Sequence, residues 1–226
     1  MIGWKFAATA VLVWVAVPGA AHAQGTVSGL VTIQEKPRET TTDLGGTVVW
    51  VEPAAGARTR PVATKAQIAM DGRKFVPRIR VVTAGSTVDF PNQDPFNHNI
   101  FSSAEGGQFD LGLYGRGESK NALFAKAGAY PIYCNIHSRM TGWIVVVNSA
   151  LFAQAEGDGR WSIDKVPPGR WVLHVWHERA AAVTKELSVT GAGTADVAVK
   201  LDATGFKVLA HKNKFGQDYK TEGVRY

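Results

Sequence analysis

The chain holds one cysteine, Cys134, followed at three-residue steps by His137 and Met140. A further histidine, His98, lies upstream in the run Asn97-His98-Asn99-Ile100. A thiolate, two imidazoles and a thioether together suit a copper ion that passes single electrons. Sulfur donors favour Cu(I), imidazoles suit Cu(II), and a site acceptable to both keeps reorganisation small. Blander roles exist for each residue, since a lone Cys is often buried filler and Met often a packing residue. A Cys–His pair also suits a thiol nucleophile, but that role leaves Met140 without a job. A single Cys can build neither an internal disulfide nor a multi-thiolate zinc or iron–sulfur site.

Convergence of these donors needs a particular arrangement of elements. Residues 130–134 alternate aromatic and apolar positions and end at Cys134, and 142–147 open a second apolar run. Cys134, His137 and Met140 therefore share one tight loop between two strands, and a loop can aim three side chains at one point where a straight strand cannot. His98 must arrive from the end of a neighbouring strand. Helix signals are weak throughout. Short alternating runs at 27–33, 47–51, 78–83, 86–90, 159–163, 170–176, 186–190 and 196–201 are punctuated by Gly, Pro, Asn and Asp, the pattern of β-sandwiches and barrels. The expected fold class is all-β.

Composition and the N-terminus narrow the setting. With 226 residues, 45% hydrophobic and 19% charged, the chain is neither fibrous nor wholly disordered and can bury one or two cores. The net charge of +6 favours anionic partners. Residues 1–23 combine Lys5, an apolar run, Pro18-Gly19 and Ala21-His22-Ala23, the features of a secretory signal peptide cleaved after Ala23. The expectation is an exported, periplasmic protein with no integral membrane segment once the leader is removed. Small and basic residues at 53–61 and the stretch 148–154 read as linkers, and 203–226 as a basic tail, extended or loosely docked.

Lys74-Phe-Val-Pro77, Gly85-Ser-Thr-Val-Asp-Phe90, Pro91-Asn92, His98-Asn99 and Gly128-Ala-Tyr-Pro-Ile-Tyr-Cys134 together resemble a cupredoxin. The resemblance covers about 65–148, and the two-residue gap between His137 and Met140 is similar to the short ligand loop of amicyanin. The wider chain looks like cupredoxin proteins often labelled methylamine-utilisation proteins. The resemblance implies a Greek-key β-sandwich holding one type 1 copper, with His98, Cys134 and His137 as equatorial ligands and Met140 as axial ligand. It also implies that Asn99 braces the Cys134 segment by a hydrogen bond across to it. The loop residues Asn135, Ile136, Ser138 and Arg139 depart from the prolines of amicyanin.

The run 155–173, with its Gly157-Asp158-Gly159 and Pro167-Pro168-Gly169 turns, resembles a small carboxypeptidase-regulatory-like β-sandwich. That family usually opens with two strands, and 24–60 supplies such a pair ahead of the cupredoxin region. Two arrangements are open. The cupredoxin is inserted into a sandwich made from both chain ends, or 150–202 follows it as a consecutive module. His174 and His177 point to opposite faces of a strand and cannot easily share an ion.

The expected function is a carrier of single electrons rather than an enzyme, serving a redox partner with an acidic docking surface. Copper handling, or an envelope- or carbohydrate-binding scaffold, is the alternative. The histidines left over are too scattered for a second copper site, and the sparse basic residues of the tail do not indicate nucleic-acid binding.

Overall fold

The computed structural model describes residues 24–55, 61–208 and 210–219. The leader read at 1–23 lies outside them, as do residues 56–60 of the first linker and 209 and 220–226 of the tail. The fold is all-β, with no α-helix among the described residues.

Strands from the two ends of the chain share two sheets. β1 (Gly25–Gln34) lies between β14 (Arg160–Val166) and β17 (Thr194–Asp202), antiparallel to the first and parallel to the second. β2 (Val48–Pro53) lies between β13 (Phe152–Gln154) and β15 (Gly169–His177), with β16 (Ala180–Val189) at the far edge. Alternate residues of these strands, among them Val27, Val31, Val49, Val51, Ile163, Leu173 and Leu201, close one core between the sheets. The stretch 148–154 is not all linker, since it holds β13, a strand too short to show a period in sequence.

Between β2 and β13 the chain builds a second pair of sheets. One contains, in order, β6 (Ile79–Thr83), β12 (Thr141–Val147), β11 (Gly128–Cys134), β8 (His98–Ser102) and β9 (Phe109–Tyr114). The other contains β10 (Ser119–Phe124), β7 (Ser86–Pro91) and β3 (Lys65–Gln67), with the hairpin of β4 (Ala69–Asp71) and β5 (Lys74–Val76) alongside. Ile68, Met70, Phe90, Ile100, Ile132 and Ile144 fill the core, and Cys134 and Met140 sit in the same cluster.

The two cores stack through a third apolar layer. Successive strand residues face opposite ways, so Val48 and Trp50 turn away from Val49 and Val51 to meet Ile79, Val145 and Val147, flanked by Trp143 and Trp176. β2 and β12 are thus covered on both faces. That is why 142–147 reads as an unbroken apolar run rather than an alternating one. At the edge of this layer Arg78 pairs with Glu178, which also accepts a hydrogen bond from the Trp143 indole at 2.9 Å. His174 and His177 have separate surroundings. His174 stacks on Trp50 at 4.9 Å, and burial lowers its pKa, while His177 is buried with Nε2 3.2 Å from the Asp43 carbonyl oxygen.

Candidate metal centre

β11 ends at Cys134 and β12 begins at Thr141, so the six intervening residues make the connection. Two main-chain hydrogen bonds close it: the Cys134 amide donates to the Met140 carbonyl at 3.1 Å, and the Met140 amide to that of His137 at 3.0 Å. β8 supplies His98 as its first residue, next to β11 in the sheet.

Three donors converge here. Cys134 Sγ lies 3.6 Å from His98 Nδ1 and 3.5 Å from His137 Nδ1, and the two Nδ1 atoms are 3.2 Å apart. Nitrogen and sulfur donors reach a first-row metal at about 2.0–2.3 Å, so donors sharing one ion stand about 3–4 Å from each other. The cluster meets that test, and His98, Cys134 and His137 together could hold a metal ion. Cys134 and His98 are wholly buried, Met140 nearly so, and His137 half-buried. A thiolate with two imidazoles in a dry pocket suits copper or zinc and disfavours magnesium or calcium, which take oxygen donors.

A carboxylate fixes the proton on one of those imidazoles. Asp94 Oδ2 lies 2.7 Å from His98 Nε2. An ionised carboxylate only accepts, so Nε2 carries the hydrogen and Nδ1 keeps its lone pair for a metal. Burial raises the Asp94 pKa, but the amides of Arg73 and Gly72 and the His98 ring outweigh it and hold the carboxyl below its usual range. Asn92 shapes this turn: its Oδ1 accepts the Asp94 amide at 3.0 Å and its Nδ2 donates to the Phe96 carbonyl at 2.9 Å. Phe96 packs edge-on against both His98 and His137. It gives the site an apolar edge.

Asn99 reaches the Cys134 segment through its main chain. Its main-chain oxygen accepts the Asn135 amide at 2.9 Å, while its side chain donates to Asp110 Oδ1 at 2.6 Å. Asp94 carries no motif of its own, because Asn92-Gln-Asp-Pro95 reads simply as a turn. The tail, too, is more ordered than its sequence suggests: His211 and Tyr219 contact Ser138 and Cys134 of the ligand loop.

The part of the chain from β3 to β12 has two packed sheets and a His–Cys–His cluster at one end of the sandwich. Solved structures similar to it include a purple cupredoxin from Nitrosopumilus maritimus, 26% identical, covering 36% of this chain and 99% of that one with a TM-score of 0.34. A copper-containing nitrite reductase from Thermus scotoductus is 28% identical over 42% of this chain and 25% of its own, with a TM-score of 0.36. A reduced amicyanin variant is 22% identical over 43% of this chain and 99% of its own, with a TM-score of 0.35. No family model matches the sequence, and no curated protein does.

Proposed function

We propose that the protein is a periplasmic blue-copper carrier of single electrons. His98, Cys134 and His137 hold one copper, with Met140 as a weak fourth donor. Copper bound there supplies reversible Cu(II)/Cu(I) exchange. The observation that carries this reading is the convergence of one buried thiol sulfur and two imidazole Nδ1 atoms within 3.2–3.6 Å.

The chain's own residues do the rest. Asp94 holds His98 in the tautomer that offers Nδ1. The closed loop and its hydrogen bond to Asn99 keep Cys134 and His137 in one arrangement, which suits a site that must serve both oxidation states. Burial of Cys134 keeps bulk water and stray oxidants from the sulfur. Half-buried His137, edged by Phe96, provides the short route from the site to the surface. The basic surface steers an acidic redox partner, weakly and in a salt-dependent way. The leader pattern at 1–23 supports export, and no helix among the described residues is long and apolar enough to cross a membrane. We read β1, β2 and β13–β17 as a second, carboxypeptidase-regulatory-like sandwich into which the cupredoxin unit is inserted.

Titration of the purified chain with Cu(II), followed in the visible, tests this function. One equivalent should give an intense thiolate-to-copper band that dithionite bleaches and air or ferricyanide restores. Cys134→Ser should abolish the band. A variant that stays blue, or an intact chain that takes up no copper, overturns the assignment.

A further inference from the structure

The chain after β17 turns back over the molecule. The Phe206 carbonyl accepts from Lys36 Nζ at 2.7 Å, and its ring lies 6.0 Å from the Arg179 guanidinium, which anchors the start of the tail. Further on, Asn213 Oδ1 accepts the amides of Phe215 and Gln217 at 2.9 and 3.0 Å, shaping a turn. The segment therefore has structure of its own, and it spends that structure on the ligand loop.

Three contacts reach the loop directly. Tyr219 Oη donates to the Cys134 carbonyl oxygen at 2.7 Å, His211 Nε2 donates to that of Ser138 at 2.7 Å, and the Lys214 amide donates to Asn135 Oδ1 at 3.0 Å. The His211 ring stacks on Tyr133, the residue before Cys134, at 4.3 Å and 21°, and Tyr219 meets His211 edge-on at 5.1 Å. A fourth contact reaches the other side of the site. Lys214 Nζ lies 2.7 Å from Asp110 Oδ2, and the second oxygen of that carboxylate holds Asn99, the neighbour of His98. The tail thus touches the segment that carries Cys134 and His137 directly and reaches the one that carries His98 through Asp110.

We propose that residues 206–208 and 210–219 are a clasp on the metal loop, and that His211 and Tyr219 are positioning residues for the Cys134 sulfur. This rests on the copper reading above. Cys134 has one softly variable backbone torsion on either side of its Cα. Pinning its carbonyl oxygen fixes the peptide that follows and, through it, the direction of the Cα–Cβ bond. Pinning the Ser138 carbonyl limits how far the segment between His137 and Met140 can swing open. A loop held at both places releases a bound ion less readily than one closed only by its own two hydrogen bonds. The chemistry needed is that of short hydrogen bonds, one ion pair and a ring stack, and all of it is supplied from within the chain.

The test uses the full chain with Tyr219→Phe, which removes one donor and keeps the ring, and the double variant Tyr219→Phe with His211→Ala. Copper-loaded protein is challenged with excess EDTA, and the decay of the visible band is timed. A single hydrogen bond of ordinary net worth corresponds to about a fivefold change, so Tyr219→Phe should lose copper about fivefold faster and the double variant faster still, with a displaced absorption maximum. Amide hydrogen exchange is followed in parallel on the metal-free chains, where the Asn135 and Met140 amides should exchange about fivefold faster than in the unaltered protein. Unchanged exchange in the double variant overturns the clasp. Faster exchange with unchanged copper loss and an unmoved band overturns the positioning role. An intact chain that binds no copper defeats the copper reading and the positioning role with it, while the exchange arm still decides whether the tail clasps the loop.

Discussion

At the scale of single residues, the centre depends on a carboxylate as much as on its donors. His98 can offer Nδ1 only while Nε2 holds the proton, and Asp94 at 2.7 Å makes that the favoured tautomer. A group that orients a metal-bound imidazole typically contributes 10–100-fold in affinity. Asp94→Ala should therefore weaken copper binding by about that factor, measured by competition against a chelator of known affinity. Its amide contacts to Gly72 and Arg73 are lost as well, so a smaller companion loss of thermal stability is expected. Full retention of affinity would show that the His98 ring is held by its burial alone. Cys134, His137 and Met140 were legible as residue types at a telling spacing, with His98 upstream. Asp94 was not, because its partner lies four residues on, around a turn that only the folded chain draws.

At the scale of elements, β12 has to pass the ligand loop into a strand covered on both faces. It does so through Gly142, which sits where a Cβ would meet the Arg78 carbonyl at 2.8 Å and the Phe75 ring at 3.1 Å. The carbonyl belongs to main chain and cannot step aside as a flexible side chain would. Gly142→Val should cost about 1–3 kcal/mol, the usual penalty for overpacking a filled interior, seen as a lower midpoint in urea. An unchanged midpoint would mean that β6 and β12 can part without loss. Strands β1, β2, β6, β7, β11, β12, β15 and β17 were readable from sequence. β9 and β10 were not. Most of their residues stay partly exposed, so neither shows the clean alternation that betrays a half-buried strand.

At the scale of the whole molecule, one guanidinium ties together segments far apart in sequence. Arg179, between β15 and β16, bonds both carboxylate oxygens of Glu35 at 2.8 Å and also pairs with Asp43. The Arg179 hydrogen bonds, working against burial, lower the Glu35 pKa to about 2, and Asp43 is also held below its usual range. The folded pKa of Glu35 is thus depressed. Its contribution is complete above the ordinary value of 4.5 and is lost as pH falls toward about 2. The unaltered protein should be more stable than Arg179→Gln near neutrality, and the gap between their urea midpoints should narrow steadily below pH 4.5. A gap that stays constant down to pH 2.5 would show that the cluster adds nothing through its charges.

The sequence by itself determined the chemistry available and the class of structure. One thiol, one imidazole and a thioether were present at spacings a loop can close, a second imidazole lay upstream, and period-two apolar runs excluded helices. Such features are local, carried by residue type and by neighbours a few positions away. Tertiary structure decided which strands meet. β1 pairs in parallel with β17, more than a hundred and fifty residues on in the chain, and no local pattern encodes a partner at that distance. It also decided where the tail lies. A run of Lys, His and aromatic residues without a period has no preferred face of its own. Its place over the ligand loop comes from partners such as Tyr133 and Asp110, which the fold brings within its reach.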